Sequence, residues 1–260
     1  MNLNKRIIFD GKEYQIKKEG NLLVLRLNRK NISQISDIID LNKHEDLDKL
    51  YLLSNEIEKF EGLDNLINLK SLHLSSNLIT EFKGINNLIN IEELYLSNNK
   101  INEIRYIDSL TNLHTLILEK NNILKIENLD KLESLRHLNL SNNKISKIEN
   151  LDNLKNLRVL ELNHNQITEI KGLESLSNLE GLYLNYNNLA EINGLESLKK
   201  LRTLSLKNNK IKEVKGIENL NELIHINLCN NQIGIPEQNS IWMREPFEVD
   251  FVFGEAYDED

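Results

Sequence analysis

Four of the six histidines, His73, His137, His164 and His225, fall in or beside one recurring pattern, and histidine is the residue most often recruited for metal binding or proton transfer. The pattern argues against both uses. His73 and His137 fall three pattern periods apart, about 14 Å if each period adds one strand, too far to share a metal ion. His137 and His164 come from different columns of the pattern, and no third ligand joins them. Glu93, Glu119 and Glu161 are equally spread, so no paired-carboxylate acid–base site is expected. Cys229 is the only cysteine, which excludes a disulfide framework and a cysteine-based zinc site, and no histidine is placed by spacing to activate it. Phosphate-binding glycine loops, the nucleophile-elbow and H-E-x-x-H motifs and calcium-binding loops are all missing. Catalytic residues, metal and cofactors are therefore expected to be none, and the chain is expected not to be an enzyme.

What positions these residues is a repeat. Asn55, Asn77, Asn99, Asn121, Asn143, Asn165, Asn187, Asn209 and Asn231 follow one another at intervals of 22 residues without an insertion. The clearest unit places Leu135, Leu138, Leu140, Asn143, Ile145, Ile148, Leu151 and Leu154 at fixed offsets. Leu138 and Leu140 alternate, so both face one side of a short strand. Ile145, Ile148, Leu151, Leu154 and Leu157 then recur every third residue, which fits an irregular or 3₁₀-like return better than a long helix. One unit cannot enclose its apolar side, and stacked units bury it as a continuous core. The asparagines predict a structural ladder in which each amide satisfies backbone groups of the adjacent turn. Seven residues beyond each ladder position stand Gly62, Gly84, Tyr106, Asn128, Asn150, Gly172, Gly194 and Gly216. Glycine and asparagine tolerate positive φ, so this column predicts a left-handed residue in every turn, with Tyr106 either strained or locally different.

This pattern resembles the leucine-rich-repeat proteins, whose signature is L-x-x-L-x-L-x-x-N/C-x-L. The constant 22-residue period resembles the subclass that includes the regulatory subunit of nuclear type-one protein phosphatase, axonemal dynein light chains and bacterial internalins. The resemblance covers about 47–234. It implies an α/β-type repeat solenoid, mainly parallel β with a 3₁₀ or irregular convex side, wound as a right-handed horseshoe with capped ends. It also implies protein binding on the concave strand face, or a role as the regulatory or targeting subunit of a cytoplasmic enzyme such as a protein phosphatase or small GTPase.

Three regions are expected. Residues 1–46 form an N-terminal cap: a hairpin from Arg6–Phe9, Asp10-Gly11 and Glu13–Ile16, a strand over Leu22–Leu27, and a degenerate repeat at Asn31, Ile32 and Ile35, 24 residues before Asn55. Residues 47–234 hold nine repeats. Residues 235–260 form a C-terminal cap rich in aromatics (Trp242, Phe247, Phe251, Phe253, Tyr257), with an acidic tail expected near the basic eighth repeat.

Function should reside where the sequence stops repeating, in the strand positions that flank the buried leucines. The residue between the two leucines runs Tyr51, His73, Tyr95, Ile117, Asn139, Glu161, Tyr183, Ser205, Asn227. Tyr51, His73, Tyr95 and Ile117 are expected to form one partner-binding stripe, and Tyr183 with Tyr186 a second aromatic spot. Glu93, Glu119 and Glu161 would then favour a basic protein or peptide partner. A net charge of −8 argues against nucleic acid, and the lack of a long apolar run argues against a membrane span. With no secretion signal recognised, the expected location is cytoplasmic, and the oligomeric state stays open.

Overall fold

The computed structural model describes residues 5–234 and 250–252. Strands β1 (Arg6–Phe9) and β2 (Lys12–Gln15) form an antiparallel hairpin whose turn residues Asp10 and Gly11 have φ of 50° and 67°. That is the geometry an Asp-Gly turn favours. Strand β3 (Lys17–Glu19) pairs antiparallel with β4 (Leu22–Arg26), and from β4 onward every pairing is parallel. The repeats contribute β5 (Lys49–Tyr51), β6 (Ser71–His73), β7 (Glu93–Tyr95), β8 (Thr115–Ile117), β9 (His137–Asn139), β10 (Val159–Glu161), β11 (Gly181–Tyr183), β12 (Thr203–Ser205) and β13 (His225–Asn227). The backbone of β14 (Asp250–Val252) adds a further parallel strand beside β13. The result is a twelve-stranded sheet in strict sequence order. No helix among the described residues is long and apolar enough to cross a membrane.

Each repeat strand is three residues long because only the middle leucine (isoleucine in β13) and its two neighbours run straight before the chain turns. The return path carries the expected 3₁₀-type bonds: Leu154 N–H reaches Leu151 O at 2.9 Å and Leu157 N–H reaches Leu154 O at 2.9 Å, and other repeats do the same. Eclipsed side chains at every third residue therefore all point inward. Leu135, Leu138, Leu140, Ile145, Leu151 and Leu154 are fully buried, as are their counterparts in the other repeats up to the eighth, where burial loosens and Ile217 and, in the ninth, Ile233 are only partly covered. Phe60 and Phe82, at equivalent places in the first and second repeats, stack with ring centroids 6.3 Å apart.

The asparagine ladder forms as expected, and it binds neighbouring turns together. Asn143 donates through Nδ2 to Leu140 O in its own repeat and to Leu118 O in the previous one, both at 3.0 Å. Its Oδ1 accepts the Ile123 N–H of the previous repeat at 3.0 Å. The same three contacts recur from Asn77 to Asn231.

Among the described residues the left-handed column is present in the first eight repeats, Tyr106 included, at φ 62°. Asn128 and Asn150 use the position further, donating to Ile104 O at 2.6 Å and Ile126 O at 2.8 Å. At Gly194 the chain runs so close to the preceding turn that a Cβ would lie 2.4 Å from Ile170 O.

A second left-handed column stands immediately before each ladder asparagine, where only four of the nine residues are asparagine and none is glycine. Ser54, Ser76, Asn98, Lys120, Asn142, His164, Tyr186, Asn208 and Asn230 all have φ between 53° and 59°. The turn lets each N–H continue the inter-repeat ladder, as His164 N–H to Asn185 O and Tyr186 N–H to Lys207 O, both 2.8 Å.

The N-terminal cap needs one correction. Leu25 pairs with Leu50, so the cap is offset by 25 residues from the first repeat rather than 24. The ladder position is then Lys30, whose N–H is bonded by Asn55 Oδ1 at 2.8 Å, and Asn31 is an exposed left-handed turn residue. The three additional residues fall between the buried Leu41 and Leu47, where the chain forms the short 3₁₀ turn Leu41–Lys43. The expected aromatic cap of Trp242, Phe247, Phe253 and Tyr257 and the placement of the acidic tail lie outside the described residues.

Candidate binding surface

Parallel in-register pairing places equivalent residues of successive strands side by side, so a column in the sequence becomes a row on the concave face. Arg26, Tyr51, His73, Tyr95 and Ile117 are consecutive rungs of one such row. The planar groups stack. Tyr51 and His73 have centroids 4.2 Å apart at 13°, and His73 and Tyr95 are 4.2 Å apart at 8°. The Arg26 guanidinium closes one end 4.6 Å above the Tyr51 ring and is held there by Glu19, with Nη2 to Oε2 at 3.0 Å. That ion pair draws the Glu19 carboxyl below its ordinary range and raises Arg26. Ile117 follows at the other end, half-buried. The sequence identified the rings but not Arg26, which belongs to the cap and carries no repeat signature.

The stack spends the ring faces on one another. The ring edges, the phenolic hydroxyls and the half-buried Ile117 at the far end are not used in this stacking. Beneath the rings lies a polar chain: Ser71 Oγ donates to Glu93 Oε2 at 2.7 Å and is 3.0 Å from His73 Nε2, while Lys49 Nζ is 3.7 Å from Glu93. Neutral His73 thus donates from Nε2–H to Ser71. Burial pushes the His73 pKa down to about 4, against the raising influence of Glu93 and with Lys49 and Arg26 lowering it further. Burial also raises Tyr95, as does Glu93.

A serine, a histidine and a glutamate in contact invite comparison with a hydrolytic triad. The hydrogen bonds run the wrong way for one. The serine proton is given to the carboxylate rather than to the histidine, the histidine is not oriented by the carboxylate, and Ser71 is only 1% exposed. Among the described residues no group of three His, Cys, Asp or Glu side chains is arranged to hold a metal ion.

The other candidates fall into separate places. Glu161 pairs with His137, Oε1 to Nε2 at 2.7 Å. Glu119 accepts from Asn142 Nδ2 at 3.3 Å and stands 3.9 Å from Lys120. All three strand-face glutamates are therefore already engaged within the fold. Tyr183 lies over Gly181, where a Cβ would sit 3.1 Å from its ring carbon Cε2. Tyr186 stacks instead on His164, with centroids 4.0 Å apart at 11°, and Lys207 Nζ lies 6.0 Å from the Tyr186 ring on the neighbouring repeat. The repeat pattern places His164 and Lys207 beside the strand face but does not join either to Tyr186. Cys229 is buried.

Geometry alone defines the class: a parallel β-solenoid whose turns are held by leucines inside and by an asparagine ladder at each strand end. Two family profiles agree, one for leucine-rich repeats in two copies over residues 67–110 and 155–197, the other for a leucine-rich repeat over 111–167. Together they run without a break over 67–197, and the chain belongs to the leucine-rich-repeat proteins. Its fold is similar to internalin C2 of Listeria monocytogenes, with 27% identity and a TM-score of 0.61 over 85% of this chain and 87% of that one. It is also similar to the leucine-rich-repeat ectodomain of the Arabidopsis thaliana receptor kinase GASSHO1/SCHENGEN3, solved in complex with Casparian strip integrity factor 2 (26% identity, TM-score 0.64, 75% of this chain and 25% of that one). The functional domain of InlJ from Listeria monocytogenes shares the fold at 21% identity and a TM-score of 0.60, over 81% of this chain, which spans about half (49%) of that structure. Comparison with curated protein sequences found no match.

Proposed function

We propose that this chain is a non-enzymatic binding module that holds a protein or peptide partner on the concave face of its sheet. The observation that carries the reading is the stacked row Arg26–Tyr51–His73–Tyr95 ending at Ile117. Each ring is already fixed by its neighbours, so little side-chain entropy remains to be lost on binding. Aromatic side chains with a polar tip are enriched among interface anchors. The complex formed by the GASSHO1/SCHENGEN3 ectodomain supports a ligand-holding role for this kind of fold. The engagement of Glu93, Glu119 and Glu161 by Lys49, Asn142 and His137 lessens the part these carboxylates would play in choosing a basic partner.

The test compares wild type with the Tyr51→Ala/Tyr95→Ala double variant in a quantitative pull-down from source lysate. A partner held by wild type and lost by a variant that still melts cooperatively supports the concave row. A partner retained equally by both moves the site elsewhere on the solenoid.

A further inference from the structure

The rim at the strand ends of repeats six to eight is built differently from the concave row. There Tyr186 occupies the left-handed column at φ 55° and is 42% exposed. Asparagine fills that column in the third, fifth, eighth and ninth repeats, and it tolerates positive φ at lower cost than an aromatic residue. A bulky residue strained at an exposed turn, where nothing in the core requires it, points to a use outside the core. Tyr186 is also held in place: one face stacks on His164, and Lys207 Nζ stands over the ring at 6.0 Å.

The ground beneath the patch is rigid. Asn163 Oδ1 accepts the Asn185 N–H at 2.9 Å, and Asn185 Oδ1 accepts the Lys207 N–H at 2.8 Å and Ser205 Oγ–H at 2.7 Å. Side-chain amides thus tie repeats six, seven and eight together just where Tyr186 projects.

The charge of this rim has one sign. Residues 163–168, 185–190, 207–212 and 229–234 contain no aspartate or glutamate, while Lys207, Lys210 and Lys212 lie among them. Of the carboxylates at its borders, Glu169 pairs with Lys171 at 2.7 Å, Glu213 pairs with Lys215 and Glu161 is hydrogen-bonded to His137, while Glu191 borders the stretch of the seventh repeat. The corresponding rim of the first repeat is the opposite, with Glu56 and Glu58 and no lysine over 53–58.

We propose that the rim centred on His164, Tyr186 and Lys207, with Lys210 and Lys212, is a docking surface for an acidic, extended segment of a protein partner. The inference rests on the protein-binding reading above and gives it a second contact with a defined chemistry. Partner carboxylates meet the lysines, and the Tyr186 hydroxyl and ring edge supply further electropositive contacts. A rim of lysines, rather than buried arginine forks, acts mainly through steering and is weakened by salt.

The test is fluorescence anisotropy on the full chain with a labelled short peptide of alternating Asp and Ser, beside Lys/Ser and Asn/Ser peptides. The acidic peptide should bind in preference to both controls, and binding should weaken as ionic strength rises. Lys207→Gln/Lys210→Gln/Lys212→Gln should weaken it about tenfold or more. Tyr186→Asn should weaken it several-fold while leaving the melting temperature unchanged or higher, because asparagine suits the turn. Tyr95→Ala should leave it untouched. No preference for the acidic peptide, or equal binding by the triple-lysine variant, overturns the proposal. Loss through Tyr95→Ala with the lysine variant unaffected overturns it too, while leaving the concave row standing as the site.

Discussion

Leu138 and His137 are neighbours in one three-residue strand, yet they belong to regions with different rules. Leu138 faces inward and is repeated as leucine or isoleucine at the same position of every turn, from Leu25 to Ile226. His137 faces the concave side, and its column reads Lys49, Ser71, Glu93, Thr115, His137, Val159, Gly181, Thr203, His225. The backbone is the same for both. What differs is how tightly each environment limits the side chain. Inside, a side chain is enclosed by the turns above and below, so it must be apolar and fill the space they leave. On the concave face only the neighbouring rung limits it, and the chain can vary residues there without altering the fold. A solenoid of this kind separates the residues that fix the fold from those free to vary by direction along a single strand.

The interior should therefore give the largest response to change. Leu140 is fully buried between two turns that cannot collapse independently. Leu140→Ala is expected to cost about 2–5 kcal/mol, from reduced burial and the cavity left behind. Urea unfolding followed by circular dichroism measures it, and a near-neutral effect would break the distinction between the two regions. Repeat arrays can unfold in segments, so the amplitude of the transition should be recorded with its midpoint.

Asn143→Ala comes next, at about 1–3 kcal/mol, because the Ile123 N–H loses its acceptor in a buried place, while the Leu118 and Leu140 carbonyls each keep only one ladder amide, from Asn121 and Asn165. Hydrogen exchange at Ile123 sharpens the point. Its amide should lose protection in the variant while amides in distant repeats keep theirs; uniform change along the chain would mean that the ladder does not act between adjacent turns.

On the concave face the expected effect is smaller and depends on pH. His73 has a folded pKa of about 4, lowered first by burial, against an ordinary value of 6.5. Between those values the unfolded chain takes up a proton that the folded one does not, so this histidine's contribution to stability falls as pH drops from 6.5 toward 4. Above that window the contribution is fully present, and below it the loss is complete. Solvent access to the stack reduces the effect to about 1–2 kcal/mol. The difference in stability between wild type and His73→Gln, measured across this range, should narrow toward low pH. A pH-independent difference would show that the ring is not shielded by Tyr51 and Tyr95.

The repeat period made the interior legible: the core columns, the asparagine ladder and the left-handed column containing Tyr106 all follow from residue types at fixed offsets. The cap was harder because its additional residues fall in a turn near Leu41, and a plausible asparagine, Asn31, stands one residue from the true ladder position at Lys30. The left-handed column through Tyr186 was hidden for a different reason. Its four asparagines are diluted by serine, lysine, histidine and tyrosine, and what unites the column is a backbone hydrogen bond to the next repeat. On the concave face the sequence located the row Tyr51–His73–Tyr95 but could not show that its ring faces are spent on each other, or that Arg26 caps it. Those features depend on rotamers, which spacing does not encode.

Tyr106 offers the finest test of the separation between regions, because it breaks an interior rule at a place away from the strand face. It is left-handed at φ 62° and 49% exposed, in a column otherwise filled by glycine and asparagine. Asn128 and Asn150 show what asparagine does there: it tolerates the dihedral and donates to the carbonyl 24 residues earlier. In Tyr106→Asn that acceptor would be Phe82 O. The exchange should stabilise the protein by about 1 kcal/mol, from relief of the left-handed cost and one added hydrogen bond, offset by whatever packing the ring supplies. A raised unfolding midpoint with unchanged partner binding would mean that the column serves folding alone. A lowered midpoint would show that the tyrosine ring contributes packing over the third turn that outweighs the strain, and the interior rule would then extend to a residue half open to solvent.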